Sequence, residues 1–232
     1  MPAKRVTQLT PIHWVLVLDN SGSMQNAAAT VNAAIDQFVD VTRRMSNGGG
    51  KHYARFSVVR FGSKAELLIS HQTERDIYRS NLKVIDAQSG GTNAAIALGK
   101  AIEVLQKFPG RETDHAPCVI LLTDGVFDDA VQAVAKAHEL QALDLASGKP
   151  KLIALGFGEA NLDNLQMIAT KTGPARIPMA KLCATPSDLM ELLPMLGTIG
   201  FDMPVHANSD GIESAWLSSL NLNDDYVASL RL

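Results

Sequence analysis

The sequence predicts an α/β fold, a doubly wound and mainly parallel six-stranded sheet with helices on both faces. Short apolar runs alternate along the chain with longer segments of helical periodicity, as expected for repeated strand–helix units. Residues 14–18 and 119–122 are continuously apolar, which is typical of strands buried on both faces. The common strand order in such sheets is 3-2-1-4-5-6, and we expect it here with strand 3 antiparallel.

The first half of the chain predicts a strand, a long helix, a hairpin and a short helix. Apolar residues recur at helical spacing over 24–45, and three glycines end that helix. Two β-rich runs are joined by Gly62 and Ser63, so the second run is expected to be antiparallel and to lie at a sheet edge. The predicted elements are strand 14–18, helix 24–45, strands 56–61 and 65–69, and helix 73–81.

The second half of the chain alternates helices with short strands. The predicted elements are helix 93–108, strand 119–122, helix 128–146, strand 152–157, helix 161–171, strand 176–179 and helix 186–196. Pro186 suits the start of the last helix, and Pro194 predicts a kink or break inside it.

The composition is that of an ordinary globular protein and argues against several classes of function. The chain has 232 residues, of which 46% are hydrophobic, and its 21 basic and 24 acidic residues give a formal net charge of −3. One α/β domain commonly reaches this length. No block of like charge indicates a nucleic acid or an acidic membrane surface as a partner.

The ends of the chain and its cysteines predict a cytoplasmic protein with one main domain. The polar start and the short apolar stretch after it do not make a signal peptide, and no run is long enough to span a bilayer. Two separated cysteines, Cys118 and Cys183, favour a reducing compartment. We expect a domain over 1–200 and an extension over 201–232, either packed back on the domain or exposed as a docking element.

A polar segment, Asp19-Asn20-Ser21-Gly22-Ser23, directly follows the first predicted strand. Residues two apart can point the same way at a strand end, so one carboxylate and two hydroxyls converge. Hard cations such as Mg²⁺ take such oxygen ligands, whereas Zn²⁺ favours His and Cys. Taken alone, the segment is equally typical of a turn that caps the next helix.

Two further segments supply the same kind of ligand. Thr92 follows a glycine pair and precedes a predicted helix, and Asp124 follows the strand over 119–122. In the expected strand order, strands 1 and 4 are neighbours, so Asp19 and Asp124 meet at the point where the order reverses. Ligands of such sheets bind at that point.

Together these residues resemble the von Willebrand factor type A family and its metal-ion-dependent adhesion site. The resemblance covers residues 12–200 in order and spacing, and implies a Rossmann-like fold. The family's five ligand positions fall on Asp19, Ser21, Ser23, Thr92 and Asp124. The short chain is more similar to the bacterial branch associated with tellurite resistance than to secreted adhesins.

The resemblance also implies a function. The site would hold Mg²⁺, with Mn²⁺ or Ca²⁺ as alternatives, and would keep one coordination position open for an Asp or Glu of a partner protein. We therefore expect a non-enzymatic protein-binding domain with no nucleic acid or membrane partner. The expected partner contacts are Asn20, Gly90, Gly91, Asn93, Gly125, Val126 and Phe127. Thr123 and Gly125 are interpreted as structural, and Asp128 and Asp129 as helix caps.

Two alternatives remain at this level. A haloacid-dehalogenase-type phosphohydrolase also places an Asp after its first strand and uses Mg²⁺, but it needs a second acid two residues later, where Ser21 stands. The second alternative is a scaffold that binds no metal. The sequence has neither a P-loop nor a Gly-x-Ser-x-Gly motif. The histidines lack metal-ligand spacing and are predicted to be surface or capping residues.

Overall fold

One six-stranded sheet, in the order β3-β2-β1-β4-β5-β8, organises the chain. A computed structural model describes residues 10–47, 52–77, 83–173, 175–202 and 216. The sheet strands are β1 Thr10–Asp19, β2 His52–Phe61, β3 Ala65–Thr73, β4 Cys118–Thr123, β5 Lys151–Gly156 and β8 Ala180–Leu182. β3 is antiparallel to β2, and the other neighbours are parallel, which confirms the predicted fold class.

Helices cover both faces of the sheet. The α-helices are α1 Ala28–Asn47, α2 Glu74–Ile77, α3 Ala94–Lys107, α4 Ala130–Gln141, α5 Leu162–Ile168 and α6 Leu189–Asp202. Short 3-10 helices occupy Gly22–Asn26 and Pro186–Asp188. On one face α1 packs against α6, and on the other α3 packs against α4 and α4 against α5.

The core lies between these layers, and β1 runs through its middle. Every residue of β1 is buried, as expected for a central strand with helices on both sides. The Trp14 ring meets Phe38 of α1 edge-to-face at 5.1 Å, and Phe38 meets Phe56 of β2 at 5.5 Å. This aromatic cluster fixes α1 above β1 and β2, and so fixes the loop between β1 and α1.

The last sheet strand is not where the sequence predicts it. Residues 177–178 pair instead with 171–172, as the antiparallel ribbon β6 Lys171–Thr172 and β7 Ile177–Pro178. The edge strand of the main sheet is Ala180–Leu182, which pairs with β5. The predicted helix 161–171 therefore ends earlier, at Ile168. Local β propensity does not report strand pairing, which decides that Ala180–Leu182 joins the sheet.

Pro194 does not break the last helix, which runs through it to Asp202. A proline removes one helical hydrogen bond, but packing against α1 holds both halves of α6 in place. A Cβ at Gly197 would lie 3.0 Å from the Phe38 ring and 3.2 Å from the Thr42 methyl group. The absence of a side chain at Gly197 therefore allows α6 to lie close to α1.

Several other boundaries also differ from the prediction, and β1, β2 and β3 are each longer than predicted. The long first helix begins as the 3-10 turn Gly22–Asn26, and α4 is shorter than the predicted 128–146. The predicted boundary at residue 200 falls inside α6. Of the residues beyond α6 the structure describes only Trp216, which is fully buried, and the rest of the predicted extension lies outside the described residues. No helix in the described ranges is long and apolar enough to cross a bilayer.

Candidate metal-binding site

Asp19 and Asp124 lie side by side at the carboxyl end of the sheet. β1 and β4 are paired in parallel register, with Leu18 opposite Leu122, so Asp19 is level with Thr123 and Asp124 follows one residue later. Asp19 is completely buried, and Asp124 is 8% exposed. The predicted meeting of the two carboxylates at the reversal of strand order is therefore present in the structure.

The Asp19 carboxylate is held from two directions. The Ser21 backbone N–H donates to Asp19 Oδ1 at 2.8 Å. The Thr123 hydroxyl, at the end of β4, donates to Asp19 Oδ2 at 2.5 Å. Both donors fix the rotamer of a buried anion and offset part of the cost of its burial.

Three of the predicted ligand oxygens form a continuous chain. Ser21 Oγ lies 2.9 Å from Ser23 Oγ, and Ser23 Oγ donates to Asp124 Oδ1 at 2.8 Å. The 3-10 helix that begins at Gly22 turns the backbone so that both hydroxyls face the end of β4. Residues of β1, of the following turn and of β4 thus meet at one point.

Thr92, the fourth predicted position, is brought to this point by a clamped loop. The Asp128 carboxylate accepts from the Thr92 backbone N–H at 2.9 Å, and the Thr92 carbonyl accepts from the Asp128 N–H at 3.1 Å. Gly91 has φ +67°, and a Cβ there would lie 2.8 Å from Asp128 Oδ2, so the clamp requires a glycine. The Thr92 hydroxyl then lies 3.4 Å from the position of a Cβ on Gly125.

Asn20 has a buried, structural side chain rather than an exposed one. Its Oδ1 accepts from the backbone N–H groups of Asp86 and Ala87 at 2.8 and 2.9 Å, and its Nδ2 donates to Asp86 Oδ1 at 2.7 Å. The Asn20 carbonyl accepts from the Ser89 N–H at 3.1 Å. The contact predicted for Asn20 is therefore limited to its backbone, and its side chain positions the loop that carries Thr92.

The other predicted contact residues differ in exposure. Gly90 and Gly91 are exposed, Val126 is 55% exposed, and Phe127 is buried. Asn93 caps α3, because its side chain accepts from the Ile96 N–H at 3.1 Å. The exposed rim is thus formed by the glycine loop and by Val126.

Burial raises the pKa of both carboxyl groups at the site. For Asp19, burial outweighs the opposing hydrogen bonds from Thr123 and Ser21, and the charge of Asp124 adds to the rise. For Asp124, burial again dominates, the bond from Ser23 opposes it, and Glu159 adds to the rise. A cation bound between two buried carboxylates reduces their mutual repulsion and stabilises their charged forms.

The clustered side chains supply oxygen ligands, the kind that a small divalent cation binds. Mg²⁺ binds six oxygens octahedrally at about 2.1 Å, which places neighbouring ligand oxygens roughly 3.0 Å apart. The two separations in the chain Ser21–Ser23–Asp124 are 2.9 and 2.8 Å. Within the described ranges, no group of three or more His, Cys, Asp or Glu side chains is placed to hold a metal. A cation here would depend on the hydroxyl groups as well as the two carboxylates.

An open groove of about 520 Å³ begins at this cluster. Ser23, Asp124 and Gly125 form one end of its wall, and Phe157 and Gly158 continue it. On the far side lie Ala184, Thr185 and Pro186, which precede the last helix. The hydroxyl of Ser23 and the carboxylate of Asp124 are therefore reachable from outside.

Sequence reasoning missed two residues that organise the site. Thr123 orients Asp19, although the sequence analysis assigned it only a general structural role. The Asp128 side chain clamps the Thr92 loop and does not cap a helix, so the prediction of a helix cap at Asp128 was wrong. The prediction of a helix cap at Asp129 is confirmed, because its side chain accepts from the Gln132 N–H at 2.9 Å. Both missed contacts join segments that are distant in sequence.

The chain belongs to the von Willebrand factor type A domain family, whose model matches residues 15–185. Its fold is similar to that of a von Willebrand factor type A protein from Catenulispora acidiphila, with TM-score 0.64 and 16% identity over 83% of this chain and 43% of that chain. It is also similar to the pilus adhesin SpaC from Lactobacillus rhamnosus GG, with TM-score 0.65 and 17% identity over 83% of this chain and 31% of that chain.

A third similar structure carries a metal. Proximal thread matrix protein 1 from the mussel byssus, with a zinc-occupied MIDAS motif, has TM-score 0.63 and 23% identity over 80% of this chain and 46% of that chain. This chain spans less than half the length of each of these three structures. A search of curated proteins gave no significant match.

Proposed function

We propose that this domain binds a protein partner through a divalent cation held by Asp19, Ser21, Ser23, Thr92 and Asp124. The observation that carries the proposal is the chain of oxygens from Ser21 through Ser23 to Asp124, with separations of 2.9 and 2.8 Å. The oxygens of Ser23 and Asp124 lie at one end of an open groove. The all-oxygen ligand set favours Mg²⁺; Mn²⁺ is similar in ligand preference, and Ca²⁺ would need longer bonds.

The cation would supply an electrophilic centre for an external anion. Three of the five ligands are neutral hydroxyls, so the two carboxylates only balance the charge of the cation. A partner's Asp or Glu side chain is the anion that a protein surface offers most readily. The exposed rim at Gly90, Gly91 and Val126 would contact the residues beside that acid.

The proposed activity is binding without catalysis. A phosphohydrolase would need a general acid beside Asp19, and Ser21 uses its backbone N–H to hold that carboxylate. Similarity to an adhesin and to a byssus protein supports a binding role. A cytoplasmic location and membership of the tellurite-resistance branch stay predictions.

The proposal is tested by affinity capture with the purified chain as bait. Partners should be recovered in the presence of Mg²⁺ or Mn²⁺ and lost in excess chelator. Asp19→Ala should abolish recovery, because removing one side of a buried charge-assisted contact costs on the order of 2–5 kcal/mol.

Asp144→Ala is the matched control. Asp144 is an exposed acid between α4 and β5, at the other end of the sheet, so recovery should equal that of the unaltered chain. Recovery that chelator does not diminish would mean that the partner uses another face. Recovery that depends on the cation but not on Asp19 would place the cation elsewhere.

A further inference from the structure

A second cavity, of about 290 Å³, lies at the opposite end of the sheet from the metal-binding cluster. Pro11 and His13 of β1 line it, together with Pro117 just before β4. These positions are at the amino ends of the parallel strands, whereas Asp19 ends β1 and Asp124 directly follows β4. The cavity is therefore separate from the proposed cation site.

His13, predicted to be a surface or capping residue, is 8% exposed and forms part of a buried network. Its Nε2 lies 2.9 Å from Ser57 Oγ, which also accepts from the His71 backbone N–H at 2.9 Å. The His71 ring meets the His13 ring edge-on at 4.6 Å and stacks on Phe108 at 4.3 Å. Packing thus fixes both imidazoles at the cavity wall.

In the part of the chain that the structure describes, both rings have a buried nitrogen without a hydrogen-bond partner, His13 Nδ1 and His71 Nδ1. The Ser57 hydroxyl has one proton, and when it donates to His13 Nε2 the ring proton lies on Nδ1. That N–H is then a buried donor with no acceptor among the described residues. Both Nδ1 atoms have less than 1 Å² of accessible surface, so they are enclosed by packing and do not face the cavity.

Arg55 supplies a positive charge that no carboxylate neutralises within the described ranges. Its guanidinium donates to the His71 carbonyl at 3.3 Å and to Tyr53 Oη at 3.4 Å, and both acceptors are neutral. The second arginine of the wall, Arg111, differs because it is paired with Asp114 at 3.2 Å. The cavity therefore has an excess of positive charge.

Burial and, after it, the charge of Arg55 lower the pKa of both histidines. Burial lowers the pKa of His13 to about 3, with further lowering by His71 and Arg55. Burial and Arg55 lower the pKa of His71 to about 4, against the charge of Asp114. The other charged or titratable groups around the two rings are Arg111, His115 and Lys107, whose Nζ lies 5.3 Å from the Phe108 ring. An anion in the cavity would oppose the effect of Arg55.

We infer that this cavity is a binding site for a small oxyanion, such as phosphate or the phosphate end of a small metabolite. Arg55 provides the opposite charge through its guanidinium, and the His71 ring lies at the same cavity wall. Cationic N–H donors at the wall of a cavity suit a tetrahedral oxyanion, whereas they offer little to a metal ion. The volume of about 290 Å³ accommodates a phosphate with a few further atoms but no macromolecule.

The test is a titration followed by amide and histidine-ring NMR spectra of the full chain in excess chelator. Chelator removes any cation from the other end of the sheet, where an anion could otherwise bind to the metal. The probes are sulfate, inorganic phosphate and glycerol phosphate against chloride at equal ionic strength. Saturable shifts are expected at Arg55, His71 and Phe108, with the histidine rings protonating at higher pH when sulfate is bound.

Arg55→Gln should weaken binding roughly tenfold or more, as for loss of a charge-assisted contact. Arg60→Gln is the matched control, because Arg60 lies in the same strand but is paired with Glu66 and Asp86, and its removal should leave the titration unchanged. Tighter binding of glycerol phosphate than of free phosphate would identify an ester ligand, and the reverse a free anion. Non-saturating shifts in the unaltered chain, or equal binding by the two variants, would overturn the inference.

Discussion

Thr123 Oγ1 donates a 2.5 Å hydrogen bond to Asp19 Oδ2, across two strands that are adjacent in the sheet and 104 residues apart in sequence. The same hydroxyl accepts from the Gly125 backbone N–H at 3.2 Å. Thr123 therefore sets the direction of the buried carboxylate and the path of the chain that carries Asp124. A single uncharged side chain couples the two acids of the site.

Replacing Thr123 should weaken cation binding without removing a ligand. Thr123→Val keeps the shape but leaves the Asp19 carboxylate with one donor fewer, and loss of such orienting contacts typically costs 10–100-fold in metal affinity. Thr170→Val is the matched control: Thr170 is buried and bonds to the Leu152 N–H and to Gln141, remote from the acids. Calorimetry with Mn²⁺ should show weaker binding only for Thr123→Val, and equal affinities would remove the orienting role.

Cation binding should raise the melting temperature by mass action, because only the folded chain brings the ligands together. Asp19→Ala and Asp124→Ala should each abolish that rise while the domain still folds. Asp144→Ala, an exposed acid at the other end of the sheet, should retain it. A Mg²⁺-dependent rise that persists in both site variants would contradict the assignment of the ligands.

Asp128 and Asp129 are adjacent acids with different predicted effects. Asp128→Ala removes the acceptor of the Thr92 N–H and should weaken cation affinity by releasing the loop. Asp129→Ala removes the N-cap of α4 and should lower the free energy of unfolding by about 1 kcal/mol with unchanged cation affinity. Urea unfolding and Mn²⁺ titration of both variants separate the two effects. Identical profiles would show that the clamp has no influence on the site.

The buried His13 network predicts that the folded domain loses stability at acidic pH. The unfolded chain protonates this histidine below about pH 6.5, whereas the folded chain keeps it neutral down to about pH 3. The contribution of His13 to the free energy of unfolding is therefore fully present above pH 6.5. It is lost as the pH falls towards 3, with a slope of up to roughly 1.4 kcal/mol per pH unit. His13→Gln should flatten this part of the stability profile, and His138→Gln, at an exposed position, should not. A profile unchanged by His13→Gln would refute the buried neutral state.

Trp216 should contribute to the stability of the domain, because its side chain is fully buried. Trp216→Ala is expected to lower the free energy of unfolding by about 3–5 kcal/mol, as for other large-to-small changes in a core. Val131→Ala, at a position 81% exposed, is the control and should change it little. Equal stability of both variants would favour an exposed docking element for residues 201–232.

Local sequence patterns determined much of the architecture. Apolar runs such as that of β1 and the helical spacing of α1 and α3 report burial directly, because side-chain direction repeats with period 2 or 3.6. The hairpin at Gly62 fixed the antiparallel edge strand. The five proposed ligand positions could also be read from the chain, because each stands at a strand end or a helix entry.

Only the tertiary structure decided which distant groups meet. The bond from Thr123 to Asp19, the clamp of Asp128 on Thr92 and the network of His13 with His71 join residues 104, 36 and 58 positions apart. Such contacts depend on strand pairing and loop path, which local periodicity does not encode. For the same reason the sequence misplaced the last sheet strand, since only pairing with β5 selected Ala180–Leu182.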